Sequence, residues 1–124
     1  EGGIFKALLV FPPNYPMQPP SMTFQTRMWH PNIYEDGRVC ISILHTPGED
    51  QFNQQESADE RWRPILNAEG ILVSVLSMLT DKTPNLESPA NLDAAKEFRE
   101  NPKEYRRRVR RLARKSIDDL DAAE

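Results

Sequence analysis

The residues best equipped for chemistry crowd into one stretch, Trp29 to His45. It holds the sole cysteine, Cys40, both histidines, His30 and His45, and an asparagine, Asn32, set directly behind Pro31. Proline fixes its own φ and biases the residue before it towards extended backbone, so His30-Pro31 is a stiff entry. Asp36-Gly37 is a tight-turn signal, because glycine takes up positive φ without steric cost. The segment therefore doubles back, and Asn32 and Cys40, eight positions apart, can lie close in space. A thiol beside a positioned amide donor suits acyl transfer: the sulfur attacks a carbonyl, and the amide dipole meets the oxyanion that forms.

Other chemistries find less support. There is no HExxH, P-loop or dinucleotide fingerprint. Two histidines and one cysteine separated by a turn, with no fourth ligand nearby, make a poor zinc site, so neither a metal nor a cofactor is expected. A lone cysteine is also a common packing residue, and the flanking residues are what raise Cys40 above that reading.

Those flanking residues carry a resemblance. His30-Pro31-Asn32, with Cys40 eight residues after the asparagine, is similar to the active-site signature of ubiquitin-conjugating enzymes. The resemblance implies that Cys40 carries ubiquitin as a thioester. Asn32 is then assigned to the oxyanion or to holding the active-site loop, and His30 is mostly structural. Pro31, His45 and Ser88 are expected as supporting residues. Ser88-Pro89-Ala90-Asn91 resembles the family's gate motif, where a serine or aspartate before the proline helps place the incoming lysine; a plain helix cap explains Ser88 almost as well. A Cys-His hydrolase would need His30 or His45 as base, which the family chemistry does not require. The implied partners are ubiquitin, its activating enzyme, ubiquitin ligases and protein substrates. The rival class is a non-catalytic module of the same fold that docks ubiquitin or a ligase without turnover.

Two further regions bear on partner choice. The loop Asn14 to Pro20 is proline-rigid, which suits either a plain connector or a partner-binding surface presenting Met17, an adaptable apolar side chain; the resemblance implies that the partner is a ligase. Arg63, Pro64 and Ile65 fall in a second loop that family members use for ligases, and Arg63 replaces the family's usual serine. Between them in the chain, His45 to Glu60 carries Glu49, Asp50, Glu56, Asp59 and Glu60 with no lysine or arginine. A long polar stretch inside a compact domain is usually functional, although a tolerated, solvated insertion fits the charge pattern too. The resemblance places this acidic insertion in a subclass, closest to the G-type members, and implies a cytoplasmic location that extends to the nucleus or the cytosolic face of the endoplasmic reticulum.

The bulk composition agrees with one globular domain. The 124 residues are 38% hydrophobic and 28% charged, with a net charge of −3. One cysteine excludes an intramolecular disulfide. No run is long enough for a membrane span, since Ile71 to Leu79 is short and broken by serines. The chain opens at Glu1-Gly2-Gly3 and alternates almost at once, as if within an existing strand; the resemblance implies that residues 1–124 form a single catalytic core lacking its leading helix and first strand.

The elements that must position the chemistry follow from periodicity. Ile4 to Phe11 predicts a strand with much of both faces buried, and Met22 to Thr26 a second strand antiparallel to it. Asn67 caps a helix to about Thr80 whose apolar residues Ile71, Leu72, Val75, Leu76 and Leu79 form a wide core face. Ser88 and Pro89 predict the start of a helix to about Glu100, and Pro102 that of a last helix to about Asp119. That last helix has a thin stripe of Tyr105, Val109, Leu112, Ser116 and Leu120, and an acidic end that predicts fraying. Between Lys103 and Lys115 stand eight basic residues against Glu104 alone. Without interleaved aromatics this run predicts a solvated face and argues against nucleic acid. The fold class is α/β of the α+β type: a short antiparallel meander with a central helix and C-terminal helices.

Overall fold

Gly37 shows how local sequence becomes architecture. Its φ is +98°, and a Cβ at this position would overlap the carbonyl oxygen of Phe24. Only glycine both takes that conformation without strain and lets the turn lie against the neighbouring strand. The computed structural model describes residues 2–44, 62–64, 66–82, 84–86 and 89–123, with side chains undescribed at 42 and 121–123. Its elements are β1 (Ala7–Val10), β2 (Ser21–Phe24), a 3₁₀ turn at Ser42–Leu44, α1 (Ala68–Thr80), α2 (Leu92–Glu100) and α3 (Pro102–Ala123). β1 and β2 form a two-stranded antiparallel sheet, which agrees with the α+β class. The chain divides into two units, Glu1–Leu8 with Met22–Val39 and Asn85–Glu124, and Leu9–Ser21 with Cys40–Pro84.

In the first unit, β2 alternates as a half-buried strand should: Met22 and Phe24 point inward and Ser21 outward. The return limb of the 33–39 hairpin runs beside it, with Phe24 N–H donating to Gly37 O at 2.8 Å and Val39 N–H to Met22 O at 2.9 Å. Residues before β1 are tied on at two points: Lys6 O accepts from Gln25 N–H at 2.8 Å and Thr26 N–H at 3.3 Å while Lys6 N–H donates to Thr26 Oγ1 at 2.8 Å, and Ile4 N–H donates to Ser116 Oγ at 3.0 Å. α2 and α3 pack through Phe98 and Tyr105, edge to face with ring centres 5.1 Å apart. The core of the unit is Met22, Phe24, Ile33, Ala94, Ala95, Tyr105 and Ala113.

Three expectations change here. α2 begins at Leu92 under an Asn91 cap, whose side chain accepts from Ala94 N–H at 3.0 Å, and not at Ser88-Pro89. The cause is long-range: Ala90 N–H and Asn91 N–H both donate to Pro31 O, which keeps that backbone out of the helix. α3 runs on to Ala123 despite its acidic end. Burial of Ser116 and an i,i+4 pair of Lys115 with Asp119 at 3.0 Å work against the unfavourable dipole. The first strand is four residues long, and its apolar side chains are half in solvent, with Leu8 51% and Val10 50% exposed. Among the described residues it has one neighbouring strand, so the burial expected of both faces does not arise.

In the second unit, Trp62 is 1% exposed, and its indole N–H donates to Pro16 O at 2.9 Å, the partner a buried tryptophan needs. Tyr15 lies 6.0 Å from the Trp62 ring and 4.8 Å from Phe11. α1 starts where expected, with Gly70 N–H donating to Asn67 Oδ1 at 2.9 Å. Its wide apolar face does not behave as expected. Ile71 and Val75 are buried, but Leu72 is 53%, Val73 57% and Leu76 63% exposed. The three-residue 3₁₀ turn packs against α1 and is too narrow to cover such a face.

Candidate functional site

The asparagine hairpin is built from its backbone outward. Ile33 N–H donates to His30 O at 3.2 Å, turning the chain at Pro31-Asn32. His30 is buried, and its Nδ1 accepts the Asn32 N–H at 3.0 Å. A ring nitrogen that accepts carries no proton, which favours the neutral Nε2–H tautomer and leaves the histidine a structural role. Pro31 O accepts from Ala90 N–H at 2.8 Å and Asn91 N–H at 3.1 Å. Asn32, 7% exposed, donates from Nδ2 to Asn85 O at 3.0 Å. A primary amide nitrogen has two hydrogens, so one can hold the 84–86 segment while the other serves a second acceptor.

The far end of the hairpin is equally specified. Tyr34 N–H donates to Arg38 O and Gly37 N–H to Tyr34 O, both at 2.9 Å. Asp36 accepts from Arg38 N–H at 3.1 Å and from Arg38 Nε at 2.8 Å, and Arg38 lies 4.6 Å over the Tyr34 ring. The Arg38 backbone N–H, helped by the Arg38 side chain, holds the Asp36 carboxyl below the usual range. Ile33 and Val39 close the hairpin as an antiparallel bridge. Asn32 precedes the first of that pair in sequence, and Cys40, half-buried, follows the second and begins the second stretch of the other unit.

A clasp that the sequence does not reveal holds the start of the hairpin to the C-terminal helices. Arg108 donates to Glu97 through Nε at 3.1 Å and Nη2 at 3.0 Å, a two-point fork, and its guanidinium lies 4.6 Å over the Trp29 ring. Trp29 Nε1–H donates to the same carboxylate at 3.0 Å, and Tyr105 O–H donates to Trp29 O at 3.4 Å. Burial, with the Glu97 charge adding, pushes the Tyr105 hydroxyl up to about 12.

Met17 is 69% exposed, and Arg63 and Pro64 are exposed. The bond from Trp62 to Pro16 O ties these two loops together, because its ends are the sequence neighbours of Arg63 and Met17. His45, Glu49, Asp50, Glu56, Asp59, Glu60, Ile65 and Ser88 lie outside the described residues. Among the described residues, no three His, Cys, Asp or Glu side chains are grouped to hold a metal. No described helix is long and apolar enough to cross a membrane.

Comparison with known proteins matches this hairpin and its surroundings to one family. The profile described as ubiquitin-conjugating enzyme covers residues 1–113. The chain belongs to the ubiquitin-conjugating enzyme family. It is 59% identical over 118 residues to ubiquitin-conjugating enzyme E2 15 of Schizosaccharomyces pombe, covering 95% of this chain and 69% of that protein. It is 54% identical over 120 residues to ubiquitin-conjugating enzyme E2 14 of Arabidopsis thaliana, covering 97% and 70%. It is also 54% identical over 119 residues to the probable ubiquitin-conjugating enzyme E2 7 of Caenorhabditis elegans, covering 96% and 71%. This ubiquitin-conjugating enzyme therefore works within protein ubiquitination, and its classes of partner are ubiquitin, the activating enzyme and ligases.

Proposed function

We propose that Cys40 is the residue that carries ubiquitin and that Asn32 serves the reaction from the hairpin. The Cys40 thiolate attacks the carbonyl of the thioester delivered by the activating enzyme, and a tetrahedral oxyanion forms. Its collapse expels the activating enzyme's thiolate and leaves ubiquitin on Cys40. A substrate lysine, as the neutral amine, then attacks the new thioester to give a second tetrahedral oxyanion, the one Asn32 serves; its collapse releases Cys40 as thiolate, and the amine's extra proton passes to solvent. The observation that carries the reading is the state of Asn32: buried, with one amide hydrogen engaged at Asn85 O and a second able to meet an oxyanion. The same bond supports a loop-holding role, and the two roles are compatible in one side chain.

The finer features join this reading. The carboxylates of Glu49, Asp50, Glu56, Asp59 and Glu60 attract the cationic substrate lysine, as in members with an acidic insertion of G type, and Ser88 helps orient it. Met17, Arg63, Pro64 and Ile65 present the ligase surface, for which the Trp62–Pro16 tie between the two loops is the support. The experiment is a charging reaction with activating enzyme, ATP and ubiquitin. Wild type gives a reductant-sensitive adduct, Cys40→Ser a reductant-resistant oxyester, and Cys40→Ala none. An unchanged thioester on Cys40→Ala would remove the assignment and leave the non-catalytic docking module as the better reading.

A further inference from the structure

The exposed face of α3 has no part in the hairpin or its clasp. Arg107, Arg110, Arg111 and Arg114 follow i, i+3, i+4 and i+7, the spacing that places side chains on one helix face, and they line a shallow groove of about 430 Å³. All four are exposed. Arg107 pairs with Glu104 at 3.3 Å, while Arg110, Arg111 and Arg114 make no ion pair or side-chain hydrogen bond among the described residues. Their neighbour Arg108 is different, being committed to Glu97 and Trp29. Like charges three and four residues apart work against the helix that carries them. Guanidinium groups are weakly hydrated, planar and forked, which fits them to oxyanions better than a lysine stripe would be.

We propose that this groove is a docking surface for an acidic polypeptide segment, whose carboxylates are taken by Arg107, Arg110, Arg111 and Arg114. The patch is short: seven residues at about 1.5 Å rise give about 10 Å, the reach of three or four extended residues at about 3.3 Å each. Carboxylates bound it at both ends, Glu104 on one side and Asp118 on the other. A nucleic-acid backbone, with its unbroken track of phosphates, would run into those carboxylates. Among the described residues the groove has no aromatic lining on which a base would stack, and the chain as a whole is acidic at −3. A few carboxylates fit the space between the two acidic ends; a polynucleotide does not.

The test is fluorescence anisotropy on the whole chain, with a labelled peptide of alternating glutamate and serine, a glutamine-for-glutamate control, and single- and double-stranded DNA of matched charge. The glutamate peptide binds, the glutamine peptide does not, and rising salt weakens the complex. The double variant Arg110→Glu/Arg114→Glu weakens it at least about tenfold, as expected for loss of two charge-assisted contacts. Lysine at all four positions keeps the charge and the helix, and weakens binding by a smaller factor. Failure of the glutamate peptide to bind, tighter binding of either DNA, or an affinity that both sets of substitutions leave unchanged would each overturn the proposal.

Discussion

The asparagine hairpin and helix α1 show two ways of making a local structure. In the hairpin, nearly every step has a named distant partner: Pro31 O takes two N–H groups from 90–91, Asn32 reaches Asn85, and Gly37 lies against Phe24. In α1 the start is set locally by the Asn67 cap, while Leu72, Val73 and Leu76 stay half or more exposed. The contrast concerns specificity. A helix forms from propensity and a cap whatever covers its face, whereas a hairpin that must present an amide in one orientation needs each polar group assigned. A change that touches an assigned group should therefore cost far more than one on the exposed face of α1.

Gly37→Ala attacks the hairpin at its tightest point and is expected to have the largest effect on stability. The positive φ is strained for any Cβ, and the methyl would overlap the Phe24 carbonyl, so a loss of about 1–3 kcal/mol is expected in denaturant unfolding. A loss below a few tenths would mean that the turn relaxes freely. Arg108→Met keeps much of the volume over Trp29 but removes the fork to Glu97, leaving a carboxylate only 16% exposed without its cation. Because Arg108 itself is 39% exposed, solvent screens part of the pair, and about 1 kcal/mol is expected from the same measurement.

Tyr105 adds a pH dependence to the clasp. Its native hydroxyl titrates at about 12 against an ordinary 10.0, so between those values the unfolded chain gives up its proton while the folded chain keeps it. Stability from this group is full below 10.0 and is lost as pH rises towards about 12. Thermal melting across that window should fall, and fall less steeply in Tyr105→Phe. The smallest effect belongs to α1: Leu76→Gln, on a side chain 63% exposed, should change stability by less than about 0.5 kcal/mol. A large loss there would erase the contrast between the two regions.

What was legible in sequence follows the same division. The Asp36-Gly37 turn, the Asn67 cap and the need of Trp62 for a hydrogen-bond partner are written within a few residues of where they act. The spacing of Asn32 and Cys40 is likewise local, and it pointed to the family. The start of α2 was not legible, because Ser88-Pro89 is a good local signal that is overridden by Pro31 O, some sixty residues earlier. Nor was the Glu97–Arg108–Trp29 clasp, whose members are three ordinary side chains on separate segments. Periodicity marked Leu72 and Leu76 as core, but it measures which residues share a face and not whether anything lies against that face.

Single-turnover kinetics on Asn32→Ala test most directly whether Asn32 acts in the reaction and not only in the fold. Charging of Cys40 and discharge of the thioester to free lysine are measured separately, alongside thermal melting. If Asn32 serves the oxyanion, discharge slows by about 10²–10³, the usual loss for one oxyanion donor, while charging suffers much less. Equal losses in both steps, together with a lower melting temperature, would contradict that role and leave Asn32 as the bond that holds the 84–86 segment in place.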